Sequence, residues 1–259
     1  MDVSASELVH KIYPQYAVDL KPVPTDVKPR THSLPGIQAV LFDVYGTLLI
    51  SGSGEVGTVG KESSAGLFYQ ALHDTGAGPI DTRAGESGSS LYYANIAESH
   101  KRSISVGIDF PEVNILSVWT AVLNELKNKE LISSRVGIDL INRVAITYEA
   151  LSNPTGPMPM AAETLENLHE RKIILGIVSN AQFYTIHFLS AGLGRNISEL
   201  YFDESICVFS YSDMIAKPSS QIFQSALARL DWKYGISADQ TLYVGNDMLN
   251  DVFAASSTG

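Results

Sequence analysis

Ile37-Gln38-Ala39-Val40-Leu41-Phe42-Asp43-Val44-Tyr45-Gly46-Thr47-Leu48 is the stretch on which the reading of this sequence turns. Its first half is short, mostly apolar and ends in a carboxylate. Pro35-Gly36 stands before it and Gly46 after it. That length and punctuation suit a buried β-strand better than a helix. Strands buried on both faces belong to parallel sheets covered by helices. In such sheets ligands collect at the carboxyl ends of the strands, and Asp43 stands at that end.

Downstream, strand and helix alternate. Ala161, Leu165 and Leu168 mark a helix, residues 172–179 a strand and 183–189 a helix. Residues 206–209 form a strand, Ile222, Phe223, Ala226, Leu227 and Leu230 mark a helix, and 241–244 a last strand. This order predicts an α/β fold with a Rossmann-like, doubly wound parallel sheet and right-handed crossovers. Between the first strand and the rest, the period is helical. Leu116, Trp119, Leu123 and Leu126 share one face, as do Val136, Leu140, Val144, Tyr148 and Leu151. The α/β core therefore spans 37–50 and 153–259, and 51–152 is an inserted α-helical cap domain. Its linkers are the Gly/Ser stretch at 51–60, suited to a hinge, and the turn-rich 153–157. Residues 1–36 read as an extension. A short helix is expected over 6–13, and Pro14, Pro22, Pro24, Pro29 and Pro35 then favour extended chain, either a surface arm or a partner contact.

Composition narrows the function. With 259 residues, 45% of them hydrophobic, the chain can bury a sizeable core, which excludes disorder throughout. The 18 Lys+Arg against 28 Asp+Glu leave a net charge of −10, which argues against nucleic acid as a partner. A small anionic substrate is compatible with that charge if a cation or helix N-terminus meets it locally. The single cysteine, Cys207, precludes an intrachain disulfide and reads as a buried thiol on a strand. No apolar run reaches membrane-spanning length, and the first residues lack a basic-then-apolar leader. The expectation is a cytoplasmic protein with no membrane partner.

The strand ends carry the chemistry. The first delivers Asp43, the second Ser179-Asn180, the third is followed by Lys217-Pro218, and the fourth delivers Gly245-Asn246-Asp247 with Asp251 four residues on. Each piece alone is ordinary: a turn former, an N-cap, a loop, a solvated helix face. Four such groups at four consecutive strand ends are not.

That order, Asp-x-x-Gly-Thr-Leu, Ser/Thr, Lys, then Gly-x-Asp-x-x-x-Asp, resembles the haloacid dehalogenase (HAD) superfamily, in the subgroup with a helical cap after the first motif. The resemblance covers about residues 37–255. It implies that Asp43 is a nucleophile and that a Mg²⁺ cofactor is held by Asp43, the backbone carbonyl of Tyr45 and Asp247, with Asp251 reaching the same site. It implies that Ser179 and Lys217 assist catalysis, and that Thr47, Ser179, Asn180 and Lys217 bind the substrate, a phosphate ester of a small metabolite.

Two departures matter. Family phosphatases usually carry a second Asp two residues after the nucleophile, where this chain has Tyr45, a poor base at neutral pH. The 2-haloacid dehalogenases of the superfamily also begin Asp-x-Tyr-Gly-Thr-Leu, and need neither metal nor leaving-group acid. They carry Ser-x-Asn-x-x-Asp at the fourth motif, a Tyr soon after Lys-Pro where this chain offers Phe223, and an Arg from the cap. Arg83, Arg102, Arg135 and Arg143 match no such context. A metal-independent dehalogenase and a non-catalytic scaffold therefore stand as alternatives. Tyr92, Tyr93 and His100 in the insert read first as core or surface groups.

Overall fold

The protein's structure, a computed structural model, describes residues 4–52 and 61–258, the side chains of 61–63 apart. Four parallel strands form the sheet: β1 (Ala39–Phe42), β4 (Ile174–Ser179), β5 (Val208–Phe209) and β6 (Thr241–Val244), in the order β5-β4-β1-β6. β1 pairs with β4 from Ala39↔Ile174 to Phe42↔Ile177 and with β6 from Ala39↔Thr241 to Phe42↔Val244. Val40 and Phe42 enter one apolar cluster while Ala39 and Leu41 enter another, so the strand is buried on both faces. The chain winds outward through β4 to β5 and returns to the other side of β1 for β6. That reversal puts the end of β1 at the switch point, where such sheets bind ligands. The third strand is shorter than expected, because pairing with β4 is confined to Val208 and Phe209.

A two-stranded antiparallel pair, β2 (Leu49–Ser51) with β3 (Thr155–Pro157), was not foreseen. Each strand has three residues and β3 holds Gly156 and Pro157, so no alternation announces it. The pair joins the two linkers: Gly52 N donates to Pro154 O at 2.8 Å and Ser51 Oγ to Asn153 Oδ1 at 2.7 Å. The helical insert thus leaves and returns through one neck. Most of the stretch expected to act as a hinge, 53–60, lies outside the described residues.

The insert contains α2 (Lys61–Asp74), α3 (Arg83–Ser105), α4 (Ile115–Asn128) and α5 (Ile138–Ser152). Its centre is aromatic. Trp119, 1% exposed, lies with ring centroids 4.8 Å from Phe68, 5.1 Å from Tyr92 and 5.3 Å from Tyr148. Tyr92 is therefore core. Trp119→Ala is expected to lower unfolding stability by about 3–5 kcal/mol, read as a fall in denaturation midpoint with the slope retained.

The core's remaining helices are α6 (Ala161–Glu170), α7 (Thr185–Leu193), α8 (Ser210–Asp213), α9 (Ser220–Tyr234) and the short α10 (Ala254–Ser256). The N-terminal helix, α1 (Ala5–Tyr16), is longer than expected. It starts in a capping box between Ser4 and Glu7. It is no loose arm: Leu8, Val9 and Ile12 are buried against α5 and α7, and Tyr13 Oη donates to Thr155 O at 3.0 Å. Residues 17–36 carry no regular element. No described helix is long and apolar enough to cross a membrane.

Candidate active site

β1 ends at Asp43, whose backbone N–H continues the ladder to Val244 O at 2.9 Å. The chain then turns at Gly46, which has φ +85°, and a Cβ there would meet the Asn246 side chain at 2.5 Å. Glycine is needed both for the conformation and for the close approach of the β6 loop. Asp43 Oδ1 accepts from Ser179 Oγ at 2.8 Å and from Lys217 Nζ at 2.7 Å. Its Oδ2 has no hydrogen-bond partner among the described residues.

Lys217 is fixed at both ends. The Asn180 side chain clasps its backbone, accepting from Lys217 N at 2.7 Å and donating to Lys217 O at 3.3 Å. Its Nζ also donates to Asp251 Oδ1 at 2.5 Å and lies 3.3 Å from Tyr243 Oη. Asp251 Oδ2 accepts from Asp247 N at 2.9 Å, and Asp247 Oδ1 caps the turn at 248–253 by accepting from Leu249 N and Asn250 N at 2.8 and 2.6 Å. The side chains of Lys217, Asp43 and Asp251 are 4%, 7% and 1% exposed. One buried cation thus faces two buried anions. Burial pushes the Asp43 carboxyl up from its usual range; Lys217 draws it down and Asp251 raises it again.

These groups line a cleft of about 170 Å³, together with Asn180, Tyr45 and Asp247. Asn246, Gln182 and Glu112 also face it. A model of the haloacid dehalogenase-like hydrolase family matches residues 37–259. The chain belongs to that family. No protein of curated function matches it. Solved structures similar to it include a dehalogenase, 22% identical over 88% of this chain and 84% of that one, TM-score 0.45. A HAD phosphatase from Thermococcus onnurineus is 18% identical over 86% and 83%, TM-score 0.43. The HAD-hydrolase YfnB from Bacillus subtilis, bound to magnesium, is 17% identical over 86% of each chain, TM-score 0.45. Likenesses this distant decide nothing about substrate or metal.

In this HAD-like hydrolase, Asp43, Tyr45, Asn180, Lys217, Asp247 and Asp251 meet in one cleft, as the motif order implied. Ser179 is fully buried behind Asp43 and holds its Oδ1 instead of facing the cleft. Thr47 is not in the lining; its Oγ1 lies 3.5 Å from Asn246 Oδ1. Both oxygens of Asp251 are taken by Lys217, Tyr243 and Asp247 N, which gives it the part of holding Lys217. Among the described residues, no three His, Cys, Asp or Glu side chains gather as a metal-ligand set. A Mg²⁺ site needs fewer, since one or two carboxylates suffice beside a carbonyl, substrate and water. Asp247 Oδ2, which has no hydrogen-bond partner among the described residues, and the Tyr45 carbonyl are donors of the right kind.

Sequence reasoning missed Tyr243, Glu112, Gln182 and Asn246. A tyrosine hydroxyl does reach Lys217, but from β6, with Phe223 edge-on to its ring at 4.8 Å. Its only signal was a polar-tipped aromatic two residues before Gly245. The Tyr45 hydroxyl lies 3.2 Å from Thr185 Oγ1 in a buried pair, and burial together with Glu149 pushes the phenol well above its ordinary value.

Glu149 itself sits buried by the neck. It accepts from Asn153 Nδ2 at 3.1 Å and from Tyr184 Oη at 3.0 Å, yet burial raises it from 4.5 to about 7. The folded chain keeps this proton after the unfolded chain has lost it, so stability falls as pH climbs between those values. The full difference is about 3 kcal/mol. Glu149→Gln is expected to melt with the parent at pH 4 and well above it at pH 8.

Proposed function

We propose that this chain hydrolyses phosphate esters of small metabolites with Mg²⁺, Asp43 being the nucleophile. The observation that carries the reading is the state of Asp43. Ser179 and Lys217 hold Oδ1, while Oδ2 has no hydrogen-bond partner among the described residues. A carboxylate so oriented is ready to attack, at no further ordering cost.

The charge of the cleft supports the metal. Among the described residues, Asp43, Asp247, Asp251 and Glu112 face it against Lys217 alone. An anionic substrate enters such a cleft only with an added cation. When bound, Mg²⁺ would be held by Asp43, the Tyr45 carbonyl and Asp247, and would neutralise phosphate charge. The protein's own groups do the rest. Asp43 Oδ2 displaces the ester oxygen to give a phosphoaspartate, Lys217 offsets charge on Asp43 and the phosphate, and water releases phosphate.

The same lining speaks against a haloacid dehalogenase. The insert, acting as cap, brings the carboxyl of Glu112 to the cleft where those enzymes bring an arginine. Arg83, Arg102 and Arg143 pair instead with Asp81, Glu98 and Asp139. A panel of phosphomonoesters assayed with Mg²⁺ and with EDTA tests the reading: turnover with metal, lost with EDTA. Chloride release from L-2-chloropropionate in EDTA would replace it with the dehalogenase.

A further inference from the structure

The hydrolysis proposed above moves a proton twice, once to the departing ester oxygen and once from the water that clears the phosphoaspartate. Tyr45 can serve neither step, because its hydroxyl is sealed against Thr185. The remaining cleft carboxylates are committed. Asp43 attacks, Asp251 is bound to Lys217, and Asp247 caps a helical turn through one oxygen. The ammonium of Lys217 is spread over Asp43, Asp251 and Tyr243.

Glu112 is left, and among the described residues it is the one lining residue that the insert contributes. Its loop is pinned to the core: Glu112 N donates to Met214 O at 3.1 Å, Ala216 N to Phe110 O at 2.8 Å, and Gln182 Nε2 to Val113 O at 3.0 Å. The carboxyl is aimed as well. Oε2 accepts from Ser210 Oγ at 2.6 Å and Oε1 from Val113 N at 2.8 Å, and Ser210 Oγ is itself held by Ala181 N at 2.9 Å. A side chain positioned by two partners and a pinned loop is preorganised for proton transfer. Burial raises its carboxyl above the usual range, with Ser210 and Val113 opposing. That direction favours carrying a proton.

We infer that Glu112 is the general acid and base of this reaction, supplying from the insert the carboxyl that position 45 lacks. The inference rests on the functional reading above. As the Asp43–phosphorus bond forms, the phosphorus–ester oxygen bond breaks. Its electron pair stays on that oxygen, which takes the Glu112 proton and leaves as an alcohol. The Glu112 carboxylate then takes a proton from water as the water oxygen attacks phosphorus. The phosphorus–Asp43 bond breaks with its pair returning to Asp43, phosphate departs, and Glu112 is protonated again.

The test compares leaving groups in the full chain with Mg²⁺. p-Nitrophenolate leaves without a proton; an alkoxide does not. Glu112→Gln should give a p-nitrophenolate burst at the parent's rate, then a steady state about 10²–10⁴-fold slower, with trapped phosphoenzyme. With an alkyl phosphomonoester it should show no burst and a similar fall in kcat at little-changed KM. Glu112→Asp, which keeps a carboxyl, should recover part of the alkyl activity. Thermal melts check folding; if the Gln variant does not fold, the Asp variant's loss in first-turnover rate must still be larger for alkyl than for p-nitrophenyl phosphate. Equal losses in the first-turnover rate on both substrates, or no loss on either, overturn the inference and leave the functional reading standing. If the parent turns over no phosphomonoester at all, the reading itself fails and takes the inference with it.

Discussion

Asp43→Asn is expected to lower phosphomonoester turnover by ~10⁴-fold or more, the order seen when a covalent nucleophile is removed. The amide keeps the shape of the side chain. Its carbonyl oxygen can still accept from Ser179 Oγ and Lys217 Nζ, the two groups that hold Oδ1. What disappears is the charge and lone pair on the attacking oxygen, so the defect should fall on kcat and leave folding untouched. Stability is expected to move the other way. Asp43 and Asp251 share one buried ammonium, and burial raises the Asp43 carboxyl even with that ammonium beside it. Replacing it with a neutral isostere matches one anion to one cation. The variant should melt at or above the parent's temperature at pH 7, a trade of stability against activity typical of reactive sites. An Asp43→Asn protein that retains turnover would remove Asp43 from the mechanism, whatever its melting point.

Lys217→Met is expected to damage both properties. The methionine fills the volume of the lysine stem but leaves Asp43 and Asp251 buried without a counter-charge. Breaking a buried pair from one side costs about 3–5 kcal/mol. The sign of the pH dependence follows. Without the ammonium the Asp43 carboxyl, which burial already raises, protonates more readily in the folded chain than in the unfolded one, so its part of the loss is full at high pH and shrinks as pH falls through its raised value. Thermal melts at pH 8 and pH 5 should show a large deficit that narrows on acidification. Adding Asp43→Asn to Lys217→Met should return part of the lost stability and none of the activity, because the two residues are in contact and their effects cannot add. A Lys217→Met protein as stable as the parent at pH 8 would show that the 2.7 Å and 2.5 Å contacts to Asp43 and Asp251 carry no energetic weight.

How much of this was legible in the linear chain depends on distance along it. Residues 39–42 are a strand because four apolar residues between Pro35-Gly36 and Gly46 have no other stable use. Residues 115–128 are a helix because Leu116, Trp119, Leu123 and Leu126 repeat at three and four. Given strands and helices in alternation, the rule for parallel sheets puts every strand's carboxyl end on one rim. Asp43, Ser179, Lys217 and Asp247 could therefore be assigned to one rim from the sequence; the folded chain turns Ser179 in behind Asp43 and puts Asn180 in the lining instead. Family membership followed from the same four motifs.

Side chains whose partners lie far away in sequence could not be read that way. The neck of β2 and β3 pairs segments too short and too rich in Gly and Pro to show a pattern. The seating of α1 depends on an apolar face of three residues finding α5 and α7. The turning of Tyr45 away from the chemistry is a contact with Thr185, 140 residues on. Glu112 meets Ser210 across 98 positions, and only that meeting, with Gln182 holding the loop, brings a carboxyl of the insert into the cleft. Local pattern and sheet topology are properties of neighbouring residues, and so they survive in a string of letters. Which side chain faces which across the neck is settled by packing two separately patterned bodies against each other, and only the folded chain contains that information.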